Sequence, residues 1–476
     1  MRRAVLALSV TTGLLTAGVA YAVPPVVPST PVTTPFKSAN VTHVGTIPLD
    51  GVAVSMEVRK VGKQVRAFVS GAGGLSIYDA TDPKAPELLG HLPVYDWENE
   101  DIAVSKDGRT AVLTEFEGTV YLHVVDVSDP RLPHITGSIV PGGAHTVTCA
   151  DDACHYLYGS EGQTYDISDR AHPKELPAAQ SWGVLAGTPG KPLSGHNVHQ
   201  DAQGYFISDT SPLVVFRQVD HDPLRLRRVT TGAISKDTNY QHNNIRTRAE
   251  QYRPRPAGAS LGGPLRDGEL LLGEGESNFT GTCDAGSGAF STWSMAGFDR
   301  GVPMKQLDVL RPVSGTYANG DPAVNGLGCS GHWFTERDAK DGSVLVAAAW
   351  YEHGTRFLKV DPRTGTIRQV GFFQPVRGAT SEAFLMPSKT GDVVWSIDYH
   401  SGIDILTFDE SKDLEPTVAQ TDASWMAKLK VVDTWASLMR QVCRAGAGST
   451  ADHAALHRAV VRTGTASFPQ LAALGR

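Results

Sequence analysis

Several familiar signatures are missing from this chain. It holds no G-x-S-x-G elbow, no P-loop and no H-E-x-x-H, and no G-x-G-x-x-G in a strand–helix setting. The common serine-hydrolase, nucleotide-binding and zincin motifs are therefore excluded. No basic stripe or Lys/Arg run occurs and the formal charge is −7, which argues against a nucleic-acid partner. Beyond the first residues no stretch is apolar enough to span a bilayer. Cysteine is scarce: there are five, without zinc-finger spacing.

The one long apolar run lies at the N-terminus. Arg2 and Arg3, the apolar stretch 4–15 and Ala20-Tyr21-Ala22 read as a signal peptide over residues 1–22. Its removal takes Arg2 and Arg3 with it and moves the formal charge from −7 to −9. An exported chain, secreted or held in the cell envelope without a transmembrane segment, can hold disulfides. Cys149 is predicted to pair with Cys154 across the acidic turn "CADDAC", and Cys283 with Cys329. Cys443 is left over.

What is present is a repeat. "LSIYDATDPKAPELLGHL" from Leu75 recurs as "LHVVDVSDPRLPHITGSI" from Leu122. Asp79, Asp82, Pro83, Pro86 and Gly90 fall on Asp126, Asp129, Pro130, Pro133 and Gly137. A third copy keeps Asp166, Asp169 and Pro173, and a degenerate one keeps Asp361, Pro362 and Gly371. Alternating apolar residues predict half-buried strands, and Asp-x-x-Asp-Pro is turn chemistry. Recurrence at roughly 40–50 residues marks a propeller or array. These motifs resemble the LVIVD-repeat proteins over residues 40–410, a resemblance that implies a β-propeller and leaves function open.

The expected organisation follows. The Pro-rich stretch within 23–39 is a linker, 40–410 an all-β seven-bladed propeller, and 411–476 a helical tail. The tail carries Trp425, Leu429, Val432 and Trp435 at helical spacing. "NVTHVGTIPL" from Asn40 resembles the closing strand of the repeat with no repeat before it. It is predicted to complete the last blade and so close the ring.

Inner strands of a propeller run alike, so equivalent residues share one height on the axis. Aligning "EDIAVS", "AHTVTC", "GHNVHQ", "QHNNIR", "GHWFTE" and "SEAFLM" places Asp101, His145, His196, His242, His332 and Glu382 together. A one-residue slip would exchange His196 for His199. Neutral imidazole is the commonest metal ligand, and the set predicts one divalent transition metal, Zn, Fe or Cu. Its affinity should fall as pH drops through the His range. The other reading is a polar channel lining without cofactor. On the loops of that face lie Glu115, Glu161, Asp209, Glu274, Glu352, His353, Asp398 and His400, candidates to orient the imidazoles or to form an acidic rim.

Three functions fit this pattern. One is an exported binding protein that holds a small molecule or protein at a His-rich channel mouth. Another is a metal-dependent oxidoreductase or hydrolase. Four axial histidines on seven blades are similar to the non-haem iron carotenoid oxygenases, and selenium-binding-type methanethiol oxidases are His-rich propellers too. The third is a cell-envelope scaffold without site chemistry.

Overall fold

The repeat's aspartates shape its turns as their chemistry requires. The computed structural model describes residues 35–412, apart from 50–51, 95, 97–98, 116–120, 210–211, 233–240, 277–287, 313–329, 376–377 and 400–401. Within it, Asp79 accepts the Thr81 N–H at 2.9 Å and Asp82 the Lys84 N–H at 3.1 Å. Asp126 and Asp129 do the same for Ser128 and Arg131, and Asp166 and Asp169 for Ser168 and Ala171. Asp361 binds the Arg363 N–H at 2.7 Å. A carboxylate two residues upstream thus replaces the ladder partner that a turn residue loses.

Each such turn joins the third and fourth strands of a four-stranded antiparallel sheet. Seven sheets form, over residues 53–92, 103–139, 147–175, 198–231, 241–310, 331–374 and 380–408. The last is completed by Val41–Ile47, registered from Val41↔Phe408 to Ile47↔Ile403. The orphan strand therefore closes the ring. Phe36–Lys37, placed within the linker by sequence, instead pairs with the outer strand Ile367–Gln374 and makes the sixth sheet five-stranded.

Both faces of a blade are buried, so the two periods of a strand serve two different seams. In Val344–Trp350 every residue is buried. Val344, Val346, Ala348 and Trp350 pack toward blade five, and Leu345, Ala347 and Ala349 toward blade seven. Among the described residues an apolar cluster fills each of the seven seams, including the one between blades seven and one, where Trp395 and Ile405 meet Met56 and Val69. Between blades three and four the insertion at 177–194 helps fill the gap. Its short helix Trp182–Ala186 buries Trp182, whose Nε1 donates to Gly159 O at 2.7 Å.

The repeat's glycine is explained by the same seams. Gly90 and Gly137 sit where the outer strand shifts register. A Cβ on Gly90 would lie 2.2 Å from Pro130 O, and one on Gly137 2.3 Å from Arg170 O. Those carbonyls belong to the corresponding turn of the next blade, at Asp129-Pro130 and Asp169-Arg170, which docks on the glycine. Gly137→Ala should therefore cost about 1–3 kcal/mol, the usual range for overpacking, and lower the thermal midpoint. An unchanged melting curve would show that the turn is free to shift.

The hairpin Val147–Cys149 and Tyr156–Gly159 carries the Cys149–Cys154 disulfide, with Cα atoms 4.7 Å apart. Asp151 organises its tip by accepting the N–H groups of Ala153, His155 and Tyr156. Residues 1–34 and 413–476, with Cys283, Cys329, Cys443 and His400, lie outside the described residues. Among the described residues no helix is long and apolar enough to cross a membrane.

Candidate metal centre

The inner strands are laced to one another where they begin. Ser55 Oγ donates to Asn99 O at 2.8 Å, Glu100 N to His145 O at 3.3 Å, and Thr146 Oγ1 to His196 O at 2.5 Å. His242 Nδ1 donates to His332 O at 3.1 Å, His332 Nδ1 to Ser381 O at 2.7 Å, and Ser381 Oγ to Val54 O at 3.1 Å. Each link runs from one blade to the next. Register shifts at Gln241/Asn243, Gly331/Phe334 and Thr380/Glu382 open three of these strand starts. Such bulges re-aim side chains, and here they turn His242 and His332 inward.

Four imidazoles meet at one carboxylate. The Nε2 atoms of His145, His196 and His242 lie 3.1, 3.1 and 2.9 Å from Glu100 Oε2, and that of His332 lies 3.2 Å from Oε1. Glu276 Oε2 is 3.9 Å from His242 Nε2, and its Oε1 accepts the Tyr351 hydroxyl at 2.9 Å. Tyr351 also lies 4.6 Å from the His332 ring, and Trp333 meets the His242 ring edge-on at 4.9 Å. The His145 side chain is 15% exposed while those of His242 and His332 are 0%, so the group opens to solvent on its His145 side.

The electrostatics are those of a buried anion facing bases. Burial alone would raise Glu100. The charges of His332 and His145 and the hydrogen bonds from His145 and His196 outweigh it and hold the carboxyl well below its usual range. Burial lowers His196 to about 4, helped by the neighbouring His145 charge. His242 is pushed well below 6.5 by burial and by His196 and His332. Burial works the same way on His332, but Glu100, Glu276 and the Ser381 carbonyl overcome it and raise that group. Burial and the Glu100 charge raise Glu276 to about 7.

His242 spends its Nδ1 proton on His332 O, so in the neutral ring Nε2 carries a lone pair. That lone pair points at an ionised oxygen 2.9 Å away, which also has only lone pairs to offer. A cation between them removes the conflict. The donors suit one: imidazole nitrogens oriented by backbone carbonyls, plus carboxylates. Among the described residues Glu100, His196 and His242 form one group able to hold an ion, and His242, Glu276 and His332 another.

The four histidines expected on the axis are thus brought together, whereas Asp101 and Glu382 are not among them. Asp101 bridges to Thr146, which puts Glu100, not Asp101, level with His145. His332 Nδ1 reaches Ser381 O just as His242 reaches His332 O, so Ser381 is the equivalent of His332. Glu382 therefore lies one residue too far along, and it accepts the Met56 N–H at 2.8 Å. Asp101, raised to about 8 by burial and then by Glu57, faces a cavity of about 320 Å³ with Glu57, Arg59 and His199. His199 is three residues further down its strand than His196 and serves that opposite end.

The loop residues divide as well. Asp398 accepts Ala379 N at 2.7 Å and Thr380 Oγ1 at 3.3 Å, which pins the start of blade seven's inner strand. Asp209 is buried against Asn244 and is raised by burial, by more than the Asn244 hydrogen bond lowers it. Glu274 is 0% exposed and raised by burial alone. Glu115, Glu352 and His353 are buried, and Glu161 is exposed. None of these enters the two groups above.

Glu100 and Glu276 are the residues that sequence reasoning missed. Aligning the first buried apolar residues, Ile102, Val147 and Val198, rather than the polar ones would have put Glu100 in register with His145 and His196. Glu276 follows the second strand of blade five, Leu270–Gly275, whose end pairs with Gln241. Only the neighbouring long insertion marked it.

No family model matches the chain, and no curated protein is significantly similar to it. Solved structures do resemble it. The β-propeller domain of Cps50 (Swd1) from Myceliophteria thermophila aligns with TM-score 0.51 at 11% identity, covering 77% of this chain and 99% of that one. Candidate 6-phosphogluconolactonases from Bacteroides uniformis and Bacteroides fragilis each align with TM-score 0.47 at 13% identity. They cover 77% of this chain and 95% and 92% of their own. At 11% identity the likeness to the Cps50 (Swd1) domain carries the fold alone. The fold of this chain is a seven-bladed β-propeller, and among the described residues it holds a buried His/Glu cluster able to bind metal.

Proposed function

We propose that the protein is an exported LVIVD-type propeller that binds a divalent transition metal at this cluster. In this reading zinc, iron or copper, held by imidazole and carboxylate donors, presents an open side to a small molecule or protein partner at the channel mouth. The observation that carries it is the lone pair of His242 aimed at ionised Glu100, a pairing that a cation resolves. The 15% exposure of His145 supports access from that side. The Cys149–Cys154 disulfide supports an oxidising compartment.

The test is metal analysis of untagged protein purified from its natural host without chelators. At least about one equivalent of a transition metal is expected. An ion bound to the native state alone should also raise the melting temperature by mass action. Less than about a tenth of an equivalent, with no melting shift on adding zinc, iron or copper, leaves the cluster as a polar channel lining.

A further inference from the structure

We infer that the end of the channel opposite the histidine cluster is a second binding site, one that takes a small aliphatic amine. This inference is independent of the metal-binding reading and goes beyond it.

The site is the cavity of about 320 Å³ that Asp101 and His199 face, lined by the inner strands of blades one to four. Blades one and four are not neighbours in the ring, so a cavity that both line lies on the axis. At about 30 Å³ per water, it has room for a ligand of roughly ten non-hydrogen atoms, at the small end of the range for ligand pockets. Its rim is fixed where Lys106 N donates to Asp152 O at 2.9 Å, which ties blade two to the hairpin tip of blade three. The Cys149–Cys154 disulfide closes that same hairpin.

Charge decides the class of ligand. The titratable groups on the wall are Glu57, Asp101, Asp151 and Asp152 against Arg59, Lys106 and His199. Both permanent cations are already engaged. Arg59 pairs with Glu57, and its Nε and Nη2 donate to Val104 O at 3.2 and 3.0 Å. Lys106 Nζ meets Asp152 at 2.7 Å. Asp151 accepts the N–H groups of its hairpin tip and keeps its charge. Carboxylates therefore outnumber permanent cations by four to two, and by three to two with Asp101 protonated. Such a wall repels an anion and draws in a cation.

Two side chains are left to receive it. The side chain that hydrogen-bonds Asp101 is that of Asn197, which leaves acceptor positions on the carboxyl. The His199 ring carries no hydrogen bond among the described residues, and burial holds it below its usual pKa by more than Asp201 raises it. At neutral pH it is an imidazole with a free lone pair. An ammonium group has three N–H donors and no acceptor, the complement of a carboxylate and an imidazole, and a diamine can reach both. A bare metal ion is a poorer match, because among the described residues no three donors of this wall lie close enough together to hold one.

The experiment is isothermal titration calorimetry of purified untagged protein with 1,4-diaminobutane at neutral pH. EDTA is present so that no metal ion can ligate the amine, and succinate serves as the dianion of similar length. The diamine should bind with a dissociation constant below about 1 mM, and succinate should give no binding. Asp101→Asn should weaken the diamine at least about tenfold, the effect of losing a hydrogen bond to a charged group, with a circular-dichroism melt showing that the variant is folded. No binding of the diamine, undiminished binding to Asp101→Asn, or succinate bound as tightly as the diamine would each overturn the site. If Asp101→Asn fails to fold, His199→Leu takes its place with the same expected loss, and wild-type affinity in that variant overturns the assignment.

Discussion

His332→Ala should weaken metal binding by at least about 100-fold, beyond the 10–100-fold that loss of a ligand's hydrogen-bonding partner costs. His242→Ala should do the same. Both rings are 0% exposed, and both have Nδ1 fixed on a carbonyl of the next blade. A smaller side chain leaves nothing else to take up the ligand position. The blades keep their own seams, so the fold should survive.

The pH dependence separates His332 from its neighbours. In the metal-free protein His196 and His242 stay neutral to well below 6.5, and His332 is raised above it. A metal held by His242, Glu276 and His332 therefore displaces the His332 proton and, below about pH 7, that of Glu276 as well. Affinity should fall by up to about a hundredfold for each pH unit once both groups are protonated, and more steeply still near pH 4, where His196 begins to take up a proton. The sign follows from competition: lowering pH protonates the ligand and opposes the metal. Zinc titrations between pH 5 and 8 check this. A flat profile, or a His332→Ala variant with wild-type affinity, would remove His332 from the ligand set.

Deleting residues 1–49 should abolish the soluble monomer. The strand Val41–Ile47 is the outer edge of blade seven and pairs along Gly402–Phe408. Val41 is fully buried in the seam of blades six and seven. Asn40 Nδ2 ties the strand to Val370 O at 2.8 Å and Lys412 O at 2.7 Å, and His43 and Thr46 both reach Asp404. Ladder bonds at about 0.5–1.5 kcal/mol each and one buried valine at about 1.5–3 kcal/mol sum to roughly 5–10 kcal/mol. That rivals the whole stability of a typical domain, about 5–15 kcal/mol. The exposed edge of Gly402–Phe408 would then invite pairing between molecules. Size-exclusion chromatography and thermal unfolding measure the outcome. A monomer with an unchanged melt would mean that the ring does not depend on this strand.

The architecture was legible in the sequence because its signals are local. The Asp-x-x-Asp-Pro offsets encode turns whose hydrogen bonds span two residues, and alternation of period two encodes each strand. Even the non-local closure left a trace, since "NVTHVGTIPL" keeps the closing strand's pattern without a repeat in front. The glycines at 90 and 137 were visible as recurrences, but their reason was not. It lies in a carbonyl of the neighbouring blade.

The centre was legible only in part. Histidine is rare enough that its repetition at four strand starts stood out. Register at the axis, however, is set by bulges and by hydrogen bonds between successive blades, and neither leaves a residue pattern. A slip of one residue moves a side chain to another level of the channel. That is why the residue pattern points to Asp101 where the axis holds Glu100, and to Glu382 where it holds Ser381. Sequence alone thus determined the blades, their number and the histidines. Which carboxylate those histidines surround, and which nitrogen each turns toward it, was decided by the tertiary structure, because both depend on contacts from the next blade around the ring.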